Sequence, residues 1–432
     1  MTKPAAEHLQ APPLNATIDV WLDYQLALHS IEIDMGLSRV TQVAERLQLL
    51  HSDSKVITVG GTNGKGTTCR MLEEILLAAG YSVGVYSSPH LLHYNERIRI
   101  NHQNVNDTDI VAAFEQIEAV RGDISLTFFE FGTLAALLLF KLQRPDVVIL
   151  EVGLGGRLDA TNIIDADISA ITAVDLDHQA FLGNTREQVG YEKAGICRQD
   201  RPLIVGEPNM PETVAAVAAD KGAQLKRVGH EFSYQVDHQQ WQFNGANWHL
   251  SGLPVPQLPL PNAATTLAIL EQLLPDLPEK AIHSGLQTAT LVGRMEQLSQ
   301  HPLVVLDVAH NPHAARYLVT KLAELRKQRS ARSRCYAICG MLKDKDIHSV
   351  LEIVAPVVDA WSLVSIHNER GASADMLQQA LPAGQQTTQF EDFSTAWHTL
   401  AANVSQEDVV IVFGSFYTVS GFKEVVQTIG KE

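Results

Sequence analysis

No apolar run in this chain approaches the ~18 residues that a membrane-crossing helix requires. The longest, Leu134 through Phe140, has seven residues, so no membrane partner is expected. The N-terminus lacks the charged-then-apolar pattern of a secretory signal, and the cytoplasm is the expected location. Cysteine is scarce. Of the four (Cys69, Cys197, Cys335 and Cys339), Cys335 and Cys339 lie in one apolar run, Cys-Tyr-Ala-Ile-Cys, with no partner pair at zinc-site spacing, so all four read as core residues of a reduced protein. Basic blocks are also missing. The nearest, Arg326-Lys327-Gln328-Arg329-Ser330-Ala331-Arg332-Ser333-Arg334, joins a helical pattern to a strand pattern and reads as a solvated loop. With a net charge of −16, the chain is not expected to bind nucleic acid. What remains is a chain of 432 residues, too long for one ordinary core.

The most informative stretch is Val59-Gly60-Gly61-Thr62-Asn63-Gly64-Lys65-Gly66-Thr67-Thr68. It follows the apolar run Val56-Ile57-Thr58-Val59 and opens a helical pattern over residues 67–79. Strand, glycine-rich turn, lysine, hydroxyl, helix is the layout of a phosphate-binding loop. Glycines let backbone N–H groups turn onto an anion, and the helix N-terminus adds its positive dipole end. Lys65 is placed to reach the β/γ-phosphates, and a threonine hydroxyl to ligate Mg²⁺. The glycine-to-lysine spacing is one residue short of the usual loop, and Gly66 separates Lys65 from Thr67. The plain alternative is a glycine-rich turn with a surface lysine.

Around this loop, helix and strand patterns alternate, as in an α/β domain with a mostly parallel sheet. Residues 38–50 carry Val40, Val43, Ala44, Leu47 and Leu50 at helical spacing. Strands are expected at 82–86, 146–152 and 167–174, and a buried helix at 128–142. Between 232 and 250 short alternating segments predict a small antiparallel sheet. A helical pattern over 262–274 follows a proline-rich stretch. Strands at 303–307, 335–340, 361–366 and 409–414, separated by helical patterns, predict a second α/β domain. The boundary is expected within 293–302, giving domains of 1–295 and 296–432.

Ligands of parallel α/β sheets gather at the carboxyl ends of strands. Glu151 stands there, where a P-loop enzyme holds metal, or else as a buried acid paired with Arg157. His178, after Val174-Asp175-Leu176-Asp177, ligates a metal or caps a loop. Ser87-Ser88-Pro89-His90 supplies a hydroxyl or is a plain turn. Asp307 and His310 end a later strand, and Asn311-Pro312 is a helix entry. Lys193 reads locally as an ordinary helix lysine.

Taken together, these strings resemble the folylpolyglutamate synthase family, from about Ile31 to the C-terminus. The similar motifs are Gly61-Thr62-Asn63-Gly64-Lys65-Gly66-Thr67, Ser87-Ser88-Pro89-His90-Leu91, Glu151-Val152-Gly153-Leu154-Gly155-Gly156-Arg157-Leu158-Asp159-Ala160-Thr161-Asn162, Glu192-Lys193-Ala194-Gly195-Ile196 and Asp307-Val308-Ala309-His310-Asn311-Pro312-His313. Five strings in order across both domains make the signal specific, and Gly66 is normal in this family. The resemblance implies a P-loop, Mur-ligase-like central domain with a small antiparallel sheet, plus a Rossmann-like α/β domain closing a glutamate/ATP cleft.

It also implies roles. Thr62, Asn63, Gly64, Lys65, Gly66 and Thr67 would hold ATP, with Asn262, Arg294 and Asp307 adding contacts. Ser88, Glu151 and His178 would bind two Mg²⁺ ions, with K⁺ as a further cation. Lys193 would be carbamylated by CO₂, and Lys65, Lys193 and His310 would serve catalysis. Glu32, Ile33, Asp34, Met35, Thr127, Leu158, Asp159 and Ala160 resemble pteroate-binding segments of bifunctional bacterial enzymes. Gly414-Ser415-Phe416-Tyr417 is similar to a segment lining the domain cleft. The chain departs from its relatives in two places. His178-Gln179-Ala180-Phe181-Leu182-Gly183 lacks an acid that many carry before the aromatic residue, and Tyr191 replaces an arginine.

The implied activity is ATP-dependent addition of L-glutamate to 7,8-dihydropteroate and to reduced folates, in a monomer. A monofunctional folylpolyglutamate synthase is the nearest alternative. A cell-wall amino-acid ligase would need a UDP-sugar domain before the loop, and only 59 residues precede Gly60. A GTP-dependent switch would need an Asn-Lys-x-Asp string, which is missing.

Overall fold

The computed structural model describes residues 10–237 and 240–429. It divides into two compact units, Met1–Ala289 and Thr290–Glu432. The first is built on an eight-stranded sheet. Its strands are β1 (Lys55–Gly60), β2 (Val83–Tyr86), β3 (Ile98–Ile100), β4 (Gln103–Asn104), β5 (Val147–Glu151), β6 (Ile168–Ile171), β7 (Pro202–Val205) and β8 (Gln224–Arg227). They lie in the order β4-β3-β2-β5-β1-β6-β7-β8. β1 runs parallel to both β5 and β6, and β2 parallel to β5. Only the β2–β3–β4 edge is antiparallel. β1, β5 and β6 are buried nearly throughout. That is why they read as continuous β-branched runs instead of alternating ones.

A three-stranded antiparallel sheet follows: β9 (Ser233–Asp237), β10 (Gln240–Asn244) and β11 (His249–Pro254). Trp241 and Phe243 point into the core and their neighbours outward, the two-residue alternation visible in the sequence. The helix Phe128–Gln143 is mostly apolar and buried from Glu130 to Phe140. Phe131 packs there against Trp21 and Phe114 at centroid distances of 6.4 and 5.5 Å. Burying a side chain of this size contributes about 2–3 kcal/mol.

The second unit holds a six-stranded sheet of β12 (Glu296–Gln300), β13 (Leu303–Asp307), β14 (Cys335–Cys339), β15 (Ala360–Val364), β16 (Thr387–Phe390) and β17 (Val409–Phe413). The order is β12-β13-β17-β14-β15-β16. All pairings are parallel except β12–β13. Among the described residues, no helix is long and apolar enough to cross a membrane.

Candidate active site

In the first unit the carboxyl ends of β2, β5, β1 and β6 share one edge of the sheet, and the polar strings lie on it. β1 ends at Gly60, and the helix Lys65–Ala78 begins five residues later. It starts two residues ahead of the sequence reading, because Gly64 supplies a left-handed N-cap at φ 88°. A Cβ on Gly64 would stand 2.6 Å from Asn262 Oδ1, and one on Gly61 (φ +149°) would run into the Thr172 hydroxyl. Both positions therefore need glycine.

The loop is braced on the chain that follows β6. Thr62 N–H donates to Ala173 O at 2.8 Å, and the Thr62 hydroxyl to Asp175 O at 3.0 Å. Asp175 N–H returns to the Thr62 oxygen at 3.0 Å, and the Thr172 hydroxyl donates to Asn63 O at 2.6 Å. Lys65 Nζ folds over the loop onto Gly61 O at 3.0 Å. The Thr67 hydroxyl donates to Gly64 O at 2.9 Å and accepts from Asn262 Nδ2 at 2.6 Å. Asn262 lies in the first turn of the helix Leu260–Leu273. This assembly surrounds an anion-binding helix N-terminus.

Glu151 pairs in register with Val59 of β1, one residue before the phosphate loop, and is 5% exposed. Ser88 N–H donates to its Oε2 at 3.3 Å, which brings the Ser-Ser-Pro-His turn to the same edge. Arg157 pairs instead with Glu192, at 2.8 Å. His178 is in the left-handed region at φ 49° and caps the short helix Gln179–Leu182 through its carbonyl, so its imidazole does not serve as the cap. The Glu151 carboxylate and the Ser88 turn thus share this edge, and a carboxylate and a hydroxyl are oxygen donors that suit a hard divalent cation. Among the described residues, no cluster of three or more His, Cys, Asp or Glu forms a closed cage. His90 accepts from Arg97 Nε at 2.8 Å. Burial, then the Arg97 charge, lowers its pKa to about 4, so it stays neutral.

Lys193 was unremarkable in sequence and is 3% exposed in the structure. Burial, then the Lys65 charge, lowers its amine to about 7, against the pull of Asp177 and Asp159. A buried amine with a substantial neutral fraction near pH 7 is a nucleophile. Tyr191 receives the Arg157 guanidinium on its ring at 5.4 Å.

The segments 32–35, 127 and 158–160 come together in this unit. Met35 Cε would lie 3.4 Å from a Cβ on Gly155, and a Cβ on Gly153 would meet the Phe129 ring at 2.6 Å. Thr127 caps the helix Phe128–Gln143 in a reciprocal box with Glu130. The buried Asp159 carboxylate accepts from Gly153 N (3.0 Å), Leu154 N (2.9 Å), Thr161 N (3.0 Å) and the Thr161 hydroxyl (2.7 Å). These bonds commit it to holding its own loop. Sequence reasoning missed Arg39, which ties Asp34 to Glu130. It lies on the polar face of an amphipathic pattern, where nothing local marks it.

In the second unit β13 ends at Asp307 beside Phe413 of β17. The buried Asp307 accepts from Met295 N at 2.9 Å and Ala309 N at 2.8 Å. Burial raises its pKa, while Arg294 and His310 oppose the rise. Arg294 lies 5.2 Å over the Phe416 ring, and His310 Nδ1 is 2.8 Å from Val308 O. Asn311 caps the helix Pro312–Lys327 with its side chain, as the Asn-Pro pair predicted.

A phosphate loop on one parallel α/β sheet, with a second such sheet following it in the chain, is the framework of a nucleotide-dependent ligase of the Mur class. Residues 59–246 match the Mur ligase middle domain, and residues 293–416 match the Mur ligase glutamate ligase domain. The dihydrofolate synthase/folylpolyglutamate synthase of Escherichia coli (strain K12) is 50% identical over 417 residues, covering 96% of this chain and 97% of the relative. The solved E. coli FolC complex with DHPP and ADP is 49% identical, with TM-score 0.94, covering 97% of this chain and all of that one (100%). A bifunctional folylpolyglutamate synthase/dihydrofolate synthase solved with Mn, AMPPNP and L-glutamate is 50% identical, with TM-score 0.91, over 97% of this chain and 100% of that one. This chain belongs to the dihydrofolate synthase/folylpolyglutamate synthase family of Mur ligases.

Proposed function

We propose that this protein is an ATP-dependent carboxylate–amine ligase. It adds L-glutamate to dihydropteroate, forming dihydrofolate, and to the γ-carboxylate of reduced folates, forming polyglutamates. The phosphate loop gripped by Asn262 is the observation that carries the reading. Relatives about 50% identical along nearly the whole chain, solved with a nucleotide, a divalent metal and L-glutamate, support it.

A carboxylate is a poor electrophile at neutral pH. Transfer of the ATP γ-phosphoryl group to it gives an acyl phosphate, which the glutamate amine attacks as phosphate leaves. The difficulty is that an anionic carboxylate must approach a polyanion. Lys65 and Arg294 would offset that charge. Residues Thr62 to Thr67, Asn262, Arg294 and Asp307 would hold ATP. Ser88, Glu151 and His178 would hold two Mg²⁺ ions, whose bound charge supplies further neutralisation, with K⁺ as an additional cation. The neutral Lys193 amine would add to CO₂, lose a proton and become a carbamate, placing an anion beside Lys65 where a cation would be repelled. His310 would act at the glutamate side. Residues 32–35, Thr127 and 158–160 would seat the pterin. Residues 1–295 would bind ATP and pterin, and residues 296–432 would close the glutamate/ATP cleft of a cytoplasmic monomer.

The test is glutamate-dependent phosphate release from ATP, with 7,8-dihydropteroate and tetrahydrofolate supplied separately. Activity with both is expected. Activity with tetrahydrofolate alone would define a monofunctional polyglutamylating enzyme, and activity with neither would overturn the reading.

A further inference from the structure

Arg39 belongs to none of the roles assigned above, yet its guanidinium joins two segments proposed to seat the pterin. It lies in the first turn of the helix Ser38–Arg46, directly after the loop that carries residues 32–35. Nη1 donates to Asp34 Oδ2 at 2.6 Å, and Nη2 to the Asp34 carbonyl at 2.8 Å. One side chain thus fixes both the carboxylate and the backbone of the loop. On its other side, Nε reaches Glu130 Oε2 at 3.4 Å, and Nη2 is 3.2 Å from Glu130 Oε1. Glu130 is the residue whose carboxylate accepts from Thr127 N at 2.8 Å and whose N–H donates to the Thr127 hydroxyl at 3.2 Å. His29 adds a second strut, with Nε2 3.0 Å from Asp34 Oδ2 and Nδ1 2.9 Å from Ser125 Oγ.

A planar fork of donors can face two carboxylates and a carbonyl from one position, with Glu130 Oε1 reached by the ion pair alone, without a hydrogen bond. Glu130 is 4% exposed at its side chain and Arg39 23%. The Glu130 end of the clamp is withdrawn from water, where charge-assisted hydrogen bonds fix geometry most firmly, while the Asp34 end is a third exposed. Asp34 and Thr127 lie 93 residues apart in sequence, and Arg39 and Glu130 set their separation.

We propose that Arg39 is a positioning residue for the pterin-bearing acceptor. It holds the 32–35 loop against the Thr127 cap and sets the width of the pterin seat without touching the reacting atoms. The proposal rests on the functional reading above and deepens it.

The test compares wild type with Arg39→Gln and with Arg39→Gln/Glu130→Gln. Arg39→Gln alone leaves a buried carboxylate unpaired and lowers the thermal midpoint. The double variant removes that charge and recovers most of the midpoint. If Arg39 positions the loop, KM for dihydropteroate rises at least tenfold in both variants. KM for ATP, KM for glutamate and kcat at saturating dihydropteroate stay within about threefold. A dihydropteroate KM that returns to the wild-type value in the double variant, or three KM values that rise together, would overturn the clamp. Wild-type enzyme that fails to turn over dihydropteroate would instead overturn the functional reading, and the clamp with it.

Discussion

Asn262 Nδ2 donates to the Thr67 hydroxyl at 2.6 Å, joining residues 195 positions apart. The hydroxyl spends its own proton on Gly64 O, so its remaining lone pair faces a fixed direction. Asn262→Ala removes the donor that sets this direction. KM for ATP is expected to rise by about tenfold, with a stability loss of about 1 kcal/mol. ATP saturation kinetics and denaturant titration measure the two effects. An unchanged ATP KM would mean that the asparagine only packs against the loop.

Glu151 is the carboxylate nearest the phosphate loop in strand register. Glu151→Gln keeps its shape and removes its charge. Activity is expected to fall by at least about a hundredfold, the scale of losing one electrostatic stabiliser of a transition state. Mn²⁺ affinity, followed by the electron paramagnetic resonance of the free ion, should weaken in parallel. Retained Mn²⁺ affinity would remove Glu151 from the ligand set.

Lys193 has a pKa near 7 in the fold and an ordinary value of 10.5 when unfolded. Between these values the unfolded chain binds the extra proton. The resulting contribution is complete above the unfolded pKa and is lost as pH falls toward 7, by up to about 1.4 kcal/mol per pH unit. Lys193→Met should therefore be more stable than wild type at pH 7.5, and the gap should narrow by pH 9.5. Chemical denaturation in metal-free, CO₂-free buffer checks this. With wild-type enzyme, depleting CO₂ should lower activity and bicarbonate should restore it. Activity indifferent to CO₂ would argue against the carbamate.

Asp159 accepts four hydrogen bonds within its own loop. Asp159→Asn points an amide donor at backbone N–H groups. A stability loss of about 2–3 kcal/mol is expected, because buried donors lose their acceptor. KM for dihydropteroate should rise more than KM for ATP. Equal effects on both would make the loop purely structural.

The parts of the fold legible in the sequence were those with a single local cause. The strand at 303–307 was read at its full extent, since every residue of β13 is buried and apolar but for the terminal Asp307. The helix start at Lys65 was missed by two residues, because it depends on a left-handed Gly64 that the pattern does not display. β12 was read as a change of character near a boundary: its residues are polar and half-exposed, and only pairing with β13 makes them a strand. The environment of Lys193 was hidden for the same reason. A helix lysine looks alike in sequence whether its tip meets water or the buried neighbourhood of Lys65, Asp177 and Asp159. The Asn311 cap was legible because capping is local, whereas Arg39 reaches its second partner across 91 positions.

The braces between the phosphate loop and the stretch after β6 make one unit of two segments more than a hundred residues apart in sequence. Thr62 and Asn63 are fastened to Thr172, Ala173 and Asp175, and His178 hangs from the end of that same stretch. The loop and the stretch leading toward His178 are therefore held as one hydrogen-bonded unit, so a substitution that frees Thr62 also loosens Asp175.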